Sequence, residues 1–504
     1  MMMGTPSGDA ASNVERPKEK LRFLEDLTEA EAAQIEGAIP AGLQNLGNTC
    51  YLNSALQTFR AIPELSDALK GYREISNGSG PSANLGRFGL GGLGSSMDMT
   101  GALRDLYKQM GETQEGFPPL LFLNSLRESY PQFGQKAKDG HGYAQQDAEE
   151  AWSSIVQTMR SKLKLQDSDA NTAQGSSQRG SNWVDKYMAG TFDQVMTCDE
   201  EGAKEEPIKS QDIFFKLDCN IRTETNHMRE GINIALNEQI DKQSPSLERE
   251  ASYTKTSRIS RLPKYLPVHF VRFFWRKDTQ KKAKIMRKVT FPTEFDAVEF
   301  CSETLKKQLI PVRDKLREVR KEEEDVERAK KRQRRMQKEK EDTDAVSIEP
   351  LAKRTQKDKE RETKATGPAS EEELAAEKKV NGADVDMDAT PSFRTDAEIA
   401  AERAQLIAEA KKDLLAAMSP ELVADEAANQ TGLYELRGVI THQGSSADSG
   451  HYTSYIKKSP QKGPDGKPGK EDGKWWWFND DKVSEVNAEK IETLSGGGES
   501  LVID

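Results

Sequence analysis

Apolar residues recur at helical spacing along the first third of the chain. Leu52, Leu56, Phe59 and Ile62 lie four, three and three positions apart, which predicts an amphipathic helix starting near residue 50. Pro63 marks its expected end. In AQQDAEEAWSSIVQTMRSKLKL, Ala148, Trp152, Ile155 and Met159 share a second helical face, and residues 43–165 read as mostly helical. LTEAEAAQIEGA (27–38) predicts a short helix, with Thr28 as cap and Glu31 three residues on. The glycines of NLGRFGLGGLGSSM (84–97) are too irregular for a phosphate loop, and this stretch reads as a connecting loop. QDSDANTAQGSSQRGSN (166–182) is a polar linker. From about 184 to 300 the pattern shortens to strands, as in DIFFKLDCNI and YLPVHFVRFFW. Residues 302–430 form a charged block whose REVRKEEEDVERAKKRQRRMQKEKED is expected to bury no core. Its KKRQRR reads as a solvated helix or coil in preference to a nuclear signal. TDAEIAAERAQLIAEAKKDLLAAM within it predicts a helix, with Thr395 and Glu398 as capping box and a stripe of Ile407, Ala410, Leu414 and Met418. Strand texture returns at LYELRGVITH, and no repeat of fixed period is visible. Helical lobe, β region, charged insertion and β region again make the expected fold class α+β, with the insertion as a long loop inside one β lobe.

Composition narrows the function. The 504 residues are 35% hydrophobic and 31% charged, so part of the chain is expected to stay outside any core. A net charge of −11 argues against general nucleic-acid binding and favours solubility or a basic partner. No run of 18 apolar residues suggests a membrane span, and no apolar targeting segment suggests secretion. Cys50, Cys198, Cys219 and Cys301 are far apart with no CxxC pair, so neither a disulfide framework nor a structural zinc site is expected. A reducing cytoplasm or nucleus fits, and there a thiol stays available for chemistry.

GLQNLGNTCYLNSALQTF (42–59) puts one of those thiols where the predicted helix begins. A helix N-terminus carries about half a positive charge, which favours a thiolate. Asn48 or Thr49 can cap the helix and leave Cys50 in its first turn. A buried structural cysteine is the competing reading. A nucleophilic thiolate needs an imidazole partner. His451, in SSADSGHYTSYIK, follows a flexible turn and opens an alternating segment, with Tyr452, Ser454 and Ile456 on one face and Thr453, Tyr455 and Lys457 on the other. KWWWFNDDKV lies at the distance of the next hairpin strand and offers Asn479, Asp480 and Asp481 to orient the imidazole; solvated turn acids are the alternative. Asn45 and the backbone N–H of Cys50 could stabilise an oxyanion, with a plain loop asparagine as the default reading of Asn45 from these residues alone.

Taken in order, GLQNLGNTCYLNSALQTF, YAQQDAEE, SRISRLPKYLPVHFVRFFW, GVITHQGSSADSGHYTSYIK and WWWFNDDKVSEV resemble the ubiquitin-specific protease family of deubiquitinases, in its proteasome-associated branch. The resemblance spans about residues 20–500 outside the insertion. It implies a papain-like catalytic domain over 41–504 with thumb, palm and fingers, the 302–430 insertion, and a lead at 1–40. It implies that Cys50 attacks the carbonyl of ubiquitin's last glycine and that His451 takes the thiol proton and later protonates the leaving amine. Asn479 stands where relatives more often carry Asp, with Asp480 as the alternative orienting residue; Asn45 matches the oxyanion residue. Gln145, Gln146, Asp147 and Tyr452 match the channel for ubiquitin's tail. The expected partners are ubiquitin, ubiquitinated proteins and the proteasome regulatory particle, with no nucleic acid or membrane, no cofactor and no metal, in cytoplasm and nucleus. Relatives of this branch begin with a ubiquitin-like docking domain, of which MMMGTP resembles only the last strand, and they continue past LSGGG. A chain shortened in this way would alternatively be a weakly active or inactive ubiquitin-binding regulator.

Overall fold

A computed structural model describes residues 28, 38–73, 98–137, 142–165, 182–276, 281–346, 396–446, 449–460, 469 and 471–494. Most of the expected helix at 27–38, the glycine-rich stretch 84–97 and nearly all of the polar linker lie outside these residues. The chain divides into two compact units, one of residues 1–306 with 425–504, the other of 307–424.

The first unit begins with helices. α1 (Cys50–Arg60) carries the expected apolar stripe and α2 (Pro63–Gly71) follows after two residues. Pro63 therefore opens a helix; its missing N–H and fixed φ suit the first helical position. α3 (Met99–Met110) is capped by Asp98, whose carboxylate accepts from Thr100 N and Gly101 N. α4 (Leu120–Ser129), α5 (Ala148–Lys162) and the short α6 (Trp183–Tyr187) complete the group. Leu52 and Leu56 of α1, Leu126 of α4 and Ile155 of α5 are each 0% exposed in one core. Burial of such a side chain contributes about 1.5–3 kcal/mol. Phe59 stacks on Trp152 at 5.7 Å, which locks α1 to α5.

Two four-stranded antiparallel sheets follow. In the first, β1 (Gly190–Cys198) lies between β2 (Ile208–Phe214) and β5 (Glu250–Arg261), with β4 (Asn237–Gln243) outside β5. β3 (Leu217–Asn220) and β6 (Val268–Val271) form a parallel pair, β7 (Phe273–Arg276) and β8 (Lys281–Lys284) a hairpin, with α7 (Met228–Leu236) packed near β3. DIFFKLDCNI thus ends one strand and forms another, and YLPVHFVRFFW forms β6 and begins β7. β9 (Glu294–Asp296) pairs with β10 (Leu433–Glu435), so strand structure resumes next to where it stopped. The last sheet runs β11 (Gly438–Ser446), β12 (Ser449–Lys457), β13 (Lys474–Asn479) and β14 (Lys482–Asn487) in sequence order. Residues 452–456 are all buried, so both faces of β12 are covered and no polar face remains.

The second unit holds most of α8 (Glu303–Val346), then α9 (Asp396–Ala417) and α10 (Pro420–Ala424). KKRQRR lies on α8 and is exposed, as expected of a solvated helix. The charged block is not wholly without a core: Leu309, Val312 and Val319 are buried, the last within REVRKEEEDVERAKKRQRRMQKEKED. Ile407, Ala410 and Leu414 of the expected stripe are half-buried on α9, and Met418 lies just past the helix end. The expected cap Thr395 lies outside the described residues, and Lys411 pairs with Glu323 at 2.7 Å. A narrow apolar stripe with charged pairs beside it suffices to join two helices. No described helix is long and apolar enough to cross a membrane.

Candidate active site

The loop entering α1 is shaped by its own side chains. Gly47 and Asn48 take left-handed backbone, φ +91° and +57°, and turn the chain back on itself. Asn45 Oδ1 accepts from Gly47 N and Thr49 N, both at 3.1 Å. Thr49 Oγ1 accepts from Leu46 N at 2.9 Å, and Asn48 Nδ2 donates to Tyr143 O at 2.9 Å. Neither Asn48 nor Thr49 therefore caps α1 through its side chain, contrary to the sequence expectation. A helix leaves its first N–H groups unbonded. Here that uncapped end belongs to Cys50, whose side chain is buried.

Two residues of α1 that sequence reasoning overlooked hold this loop in place. Asn53 Nδ2 donates to Leu43 O at 3.1 Å and to Asp480 Oδ1 at 2.8 Å. Gln57 Nε2 donates to Ala41 O at 2.9 Å. They stand three and seven positions after Cys50 and are 2% and 1% exposed. Two amides on the thiol's side of the helix, at three and seven positions from it, were the available signal.

β12 brings the imidazole. Tyr452 N donates to Cys50 Sγ at 3.4 Å, which brings the neighbouring His451 beside the thiol. His451 Nε2 donates to Asn479 Oδ1 at 2.6 Å, which leaves Nδ1 for the sulfur. Asp480 Oδ2 stands farther off, 3.8 Å from Nε2. The contact with Cys50 raises the His451 pKa to about 9; burial opposes the rise, and Asn479 and Asp480 support it. Among the other described histidines, His227 bonds Thr290, His269 bonds Asp218, and His442 packs against Tyr452 at 4.5 Å. His141 lies outside the described residues.

Asp480 occupies the tight turn between β13 and β14, where Asn479 pairs with Lys482. Its φ of +54° turns the carboxylate away from the ladder. Oδ1 accepts from Asn53, Oδ2 accepts from Asn45 Nδ2 at 3.0 Å, and its carbonyl accepts from Leu43 N at 3.0 Å. The turn packs so closely that a Cβ on Gly42 would lie 2.4 Å from the Asp481 carbonyl oxygen. Asp481 itself meets the loop through its backbone.

The candidate tail residues lie beside α5. Asp147 caps that helix, accepting from Glu149 N at 2.9 Å. Gln145 and Gln146 are half-buried in the approach to it, and Gln145 Nε2 is buried with no protein partner among the described residues. Tyr452 is buried; burial, then the nearby Asp147 charge, push its pKa up. No group of three potential metal-ligating side chains occurs among the described residues.

A thiol at a helix start, an imidazole at a strand start and an amide oxygen on the next strand define a thiol hydrolase of α+β, papain-like architecture. Comparison with known proteins carries this further. The family description "Ubiquitin carboxyl-terminal hydrolase" matches residues 41–501. "Ubiquitin carboxyl-terminal hydrolase 6" of Schizosaccharomyces pombe is 39% identical over 94% of this chain and 78% of its own. The protein of the same name in Arabidopsis thaliana is 33% identical over 99% of this chain and 83% of its own. A solved structure, the SAGA Ubp8/Sgf11/Sus1/Sgf73 DUB module bound to ubiquitin aldehyde, superposes with a TM-score of 0.46 at 13% identity, over 94% of this chain and 70% of that one. The chain belongs to the ubiquitin carboxyl-terminal hydrolase family. It is a thiol-dependent deubiquitinase, of the type of the two relatives named hydrolase 6.

Proposed function

We propose that Cys50 is the nucleophile that opens the bond after ubiquitin's C-terminal glycine, and that His451 is its acid and base. The observation that carries this is the imidazole fixed by Asn479 Oδ1 at 2.6 Å while the next residue's amide meets Cys50 Sγ at 3.4 Å. His451 takes the thiol proton, sulfur attacks the glycine carbonyl, and the imidazolium protonates the departing amine. Water then attacks the thioester, giving its proton to the imidazole and releasing the glycine carboxylate and the thiol. Asn479 holds the ring with Nε2 protonated. The second N–H of Asn45, together with the Cys50 amide, stabilises the oxyanion, since Asp480 occupies only one of the Asn45 donors. Gln145, Gln146, Asp147 and Tyr452 border the path of ubiquitin's last residues.

The assembled side chains favour turnover over binding alone. The test is the full chain with ubiquitin carrying a C-terminal fluorogenic amide, and with ubiquitin carrying a C-terminal electrophile. Release of the fluorophore and labelling of Cys50 are expected, with both abolished in Cys50→Ala. Turnover that survives this substitution would refute the assignment, and ubiquitin binding without turnover by the unaltered chain would favour a regulator. The resemblance to the proteasome-associated branch supports a role with the proteasome regulatory particle, in protein degradation and ubiquitin recycling in cytoplasm and nucleus. Co-sedimentation with purified proteasomes tests that partnership.

A further inference from the structure

β11 is the edge strand of its sheet, so alternate carbonyls along its outer side have no strand to accept from. At its far end this matters twice. The β11–β12 register breaks between Gln443 and Ser446, and Gly444 turns into left-handed backbone at φ +124°. Yet the residues just before the break pair directly with those at the centre of the candidate site, His442 with Tyr452 and Gln443 with His451.

One side chain from β8 closes this open edge. Lys284 Nζ donates to His442 O at 2.7 Å, to His442 Nδ1 at 2.8 Å and to Gly444 O at 2.9 Å. An ammonium has three N–H donors, and all three are used. No carboxylate pairs with Lys284 among the described residues. Its charge is spent on two backbone carbonyls and an imidazole nitrogen, which leaves no donor for a substrate.

The His442 ring passes the constraint inward. It packs on Tyr452 at 4.5 Å and meets the Phe273 ring edge-on at 5.5 Å. Its Nε2 faces the backbone before His451, where a Cβ on Gly450 would come within 2.5 Å of it. Burial, reinforced by Lys284, lowers the His442 pKa to about 4, so Nδ1 is free to accept from the ammonium at neutral pH. Burial, then Arg272, lowers that of Lys284 to about 8, which leaves the ammonium dominant at pH 7.

We infer that Lys284 is a positioning residue for the hydrolysis: by tying the edge of β11 to β8 and fixing the His442 ring, it sets the 450–452 segment that presents His451 and the Tyr452 amide to Cys50. Lys284 touches no reacting atom in this scheme. The inference rests on the reading of Cys50 and His451 above.

The experiment compares the full chain with Lys284→Met and Lys284→Arg, using the fluorogenic ubiquitin substrate across pH. A displacement of the imidazole by a fraction of an ångström is expected to lower kcat about tenfold. KM should stay within about twofold, and the arginine, which keeps charge and donors, should restore part of the rate. The limb of the kcat/KM profile belonging to His451, near 9, should move down toward 6.5 in Lys284→Met as its hold on Cys50 loosens. The groups facing that imidazole are Cys50, Asn479 and Asp480, with His442 across the β11 register; none of them is substituted, although His442 loses its Lys284 partner. Thermal unfolding verifies that the variants fold, and Lys284→Gln takes the place of a methionine variant that does not. A raised KM with unchanged kcat would overturn the proposal in favour of a ubiquitin contact. Unchanged kinetics would overturn it outright, as would a fall in kcat with the limb unmoved. If the unaltered chain turned over no substrate at all, the proposed function would fail first, a distinct result.

Discussion

Asp480 has both carboxylate oxygens engaged before any substrate arrives, one by Asn53 and one by Asn45. Its neighbour Asn479 has the single task of holding His451. Asp480→Asn keeps a residue that tolerates the +54° backbone but turns an acceptor into a donor facing another amide. Turnover should fall by up to about a hundredfold through a displaced Asn45, the lower end of what outright loss of one oxyanion donor costs. Steady-state kcat measures this, and an unchanged value would remove Asn45 from the oxyanion role. His451 makes a second prediction. Its imidazolium is favoured in the folded state, so its contribution to stability is complete below about 6.5 and is lost as pH climbs through about 9. Since Cys50 is the largest cause, NMR titration of the ring in Cys50→Ala should give a pKa well below that of the unaltered chain.

At the scale of elements, the site is the meeting of one helix start with two strand ends. Its tolerances are set by backbones in contact, and this is where glycine becomes obligatory. Gly42→Ala would drive a methyl group into the Asp481 carbonyl, which neither the turn nor the loop can yield without moving Asp480. We expect about 1–3 kcal/mol of lost stability, read by denaturant unfolding, together with reduced turnover. Gly450→Ala adds a left-handed φ of +134° to a contact of 2.1 Å with Gln443 O, and should inactivate the chain more completely. Leu52→Ala tests the helix itself: Leu52 is 0% exposed, and its truncation should cost about 2–5 kcal/mol.

The whole molecule separates chemistry from charge. Cys50, His451, Asn479, Asn45, Asp480 and Lys284 all belong to the first unit, whereas 307–424 forms a second with its own buried residues and ion pairs. Replacing 307–424 by a flexible linker should therefore leave turnover of the fluorogenic substrate within about threefold, since no catalytic group is removed. Loss of turnover in a replacement that still melts cooperatively would tie the second unit to catalysis.

Periodicity alone was enough for α1 and α5, whose stripes are largely buried, and for α9, whose stripe is half-buried, because an apolar stripe on a helix leaves a direct trace in the order of residues. It also located the thiol at a helix start and the imidazole at a strand start. It could not choose between Asn479 and Asp480, adjacent residues that a strand end and a turn send in different directions. That choice was made by the β12–β13 register, Ser454 opposite Phe478, and by the +54° backbone at 480. Nor could it find Asn53, Gln57 or Lys284, whose partners are carbonyls and carboxylates distant along the chain. Local sequence determines which face an element buries. Which polar groups then meet, and with what donors to spare, is decided only when the elements pack, because hydrogen bonds depend on distance and direction in space.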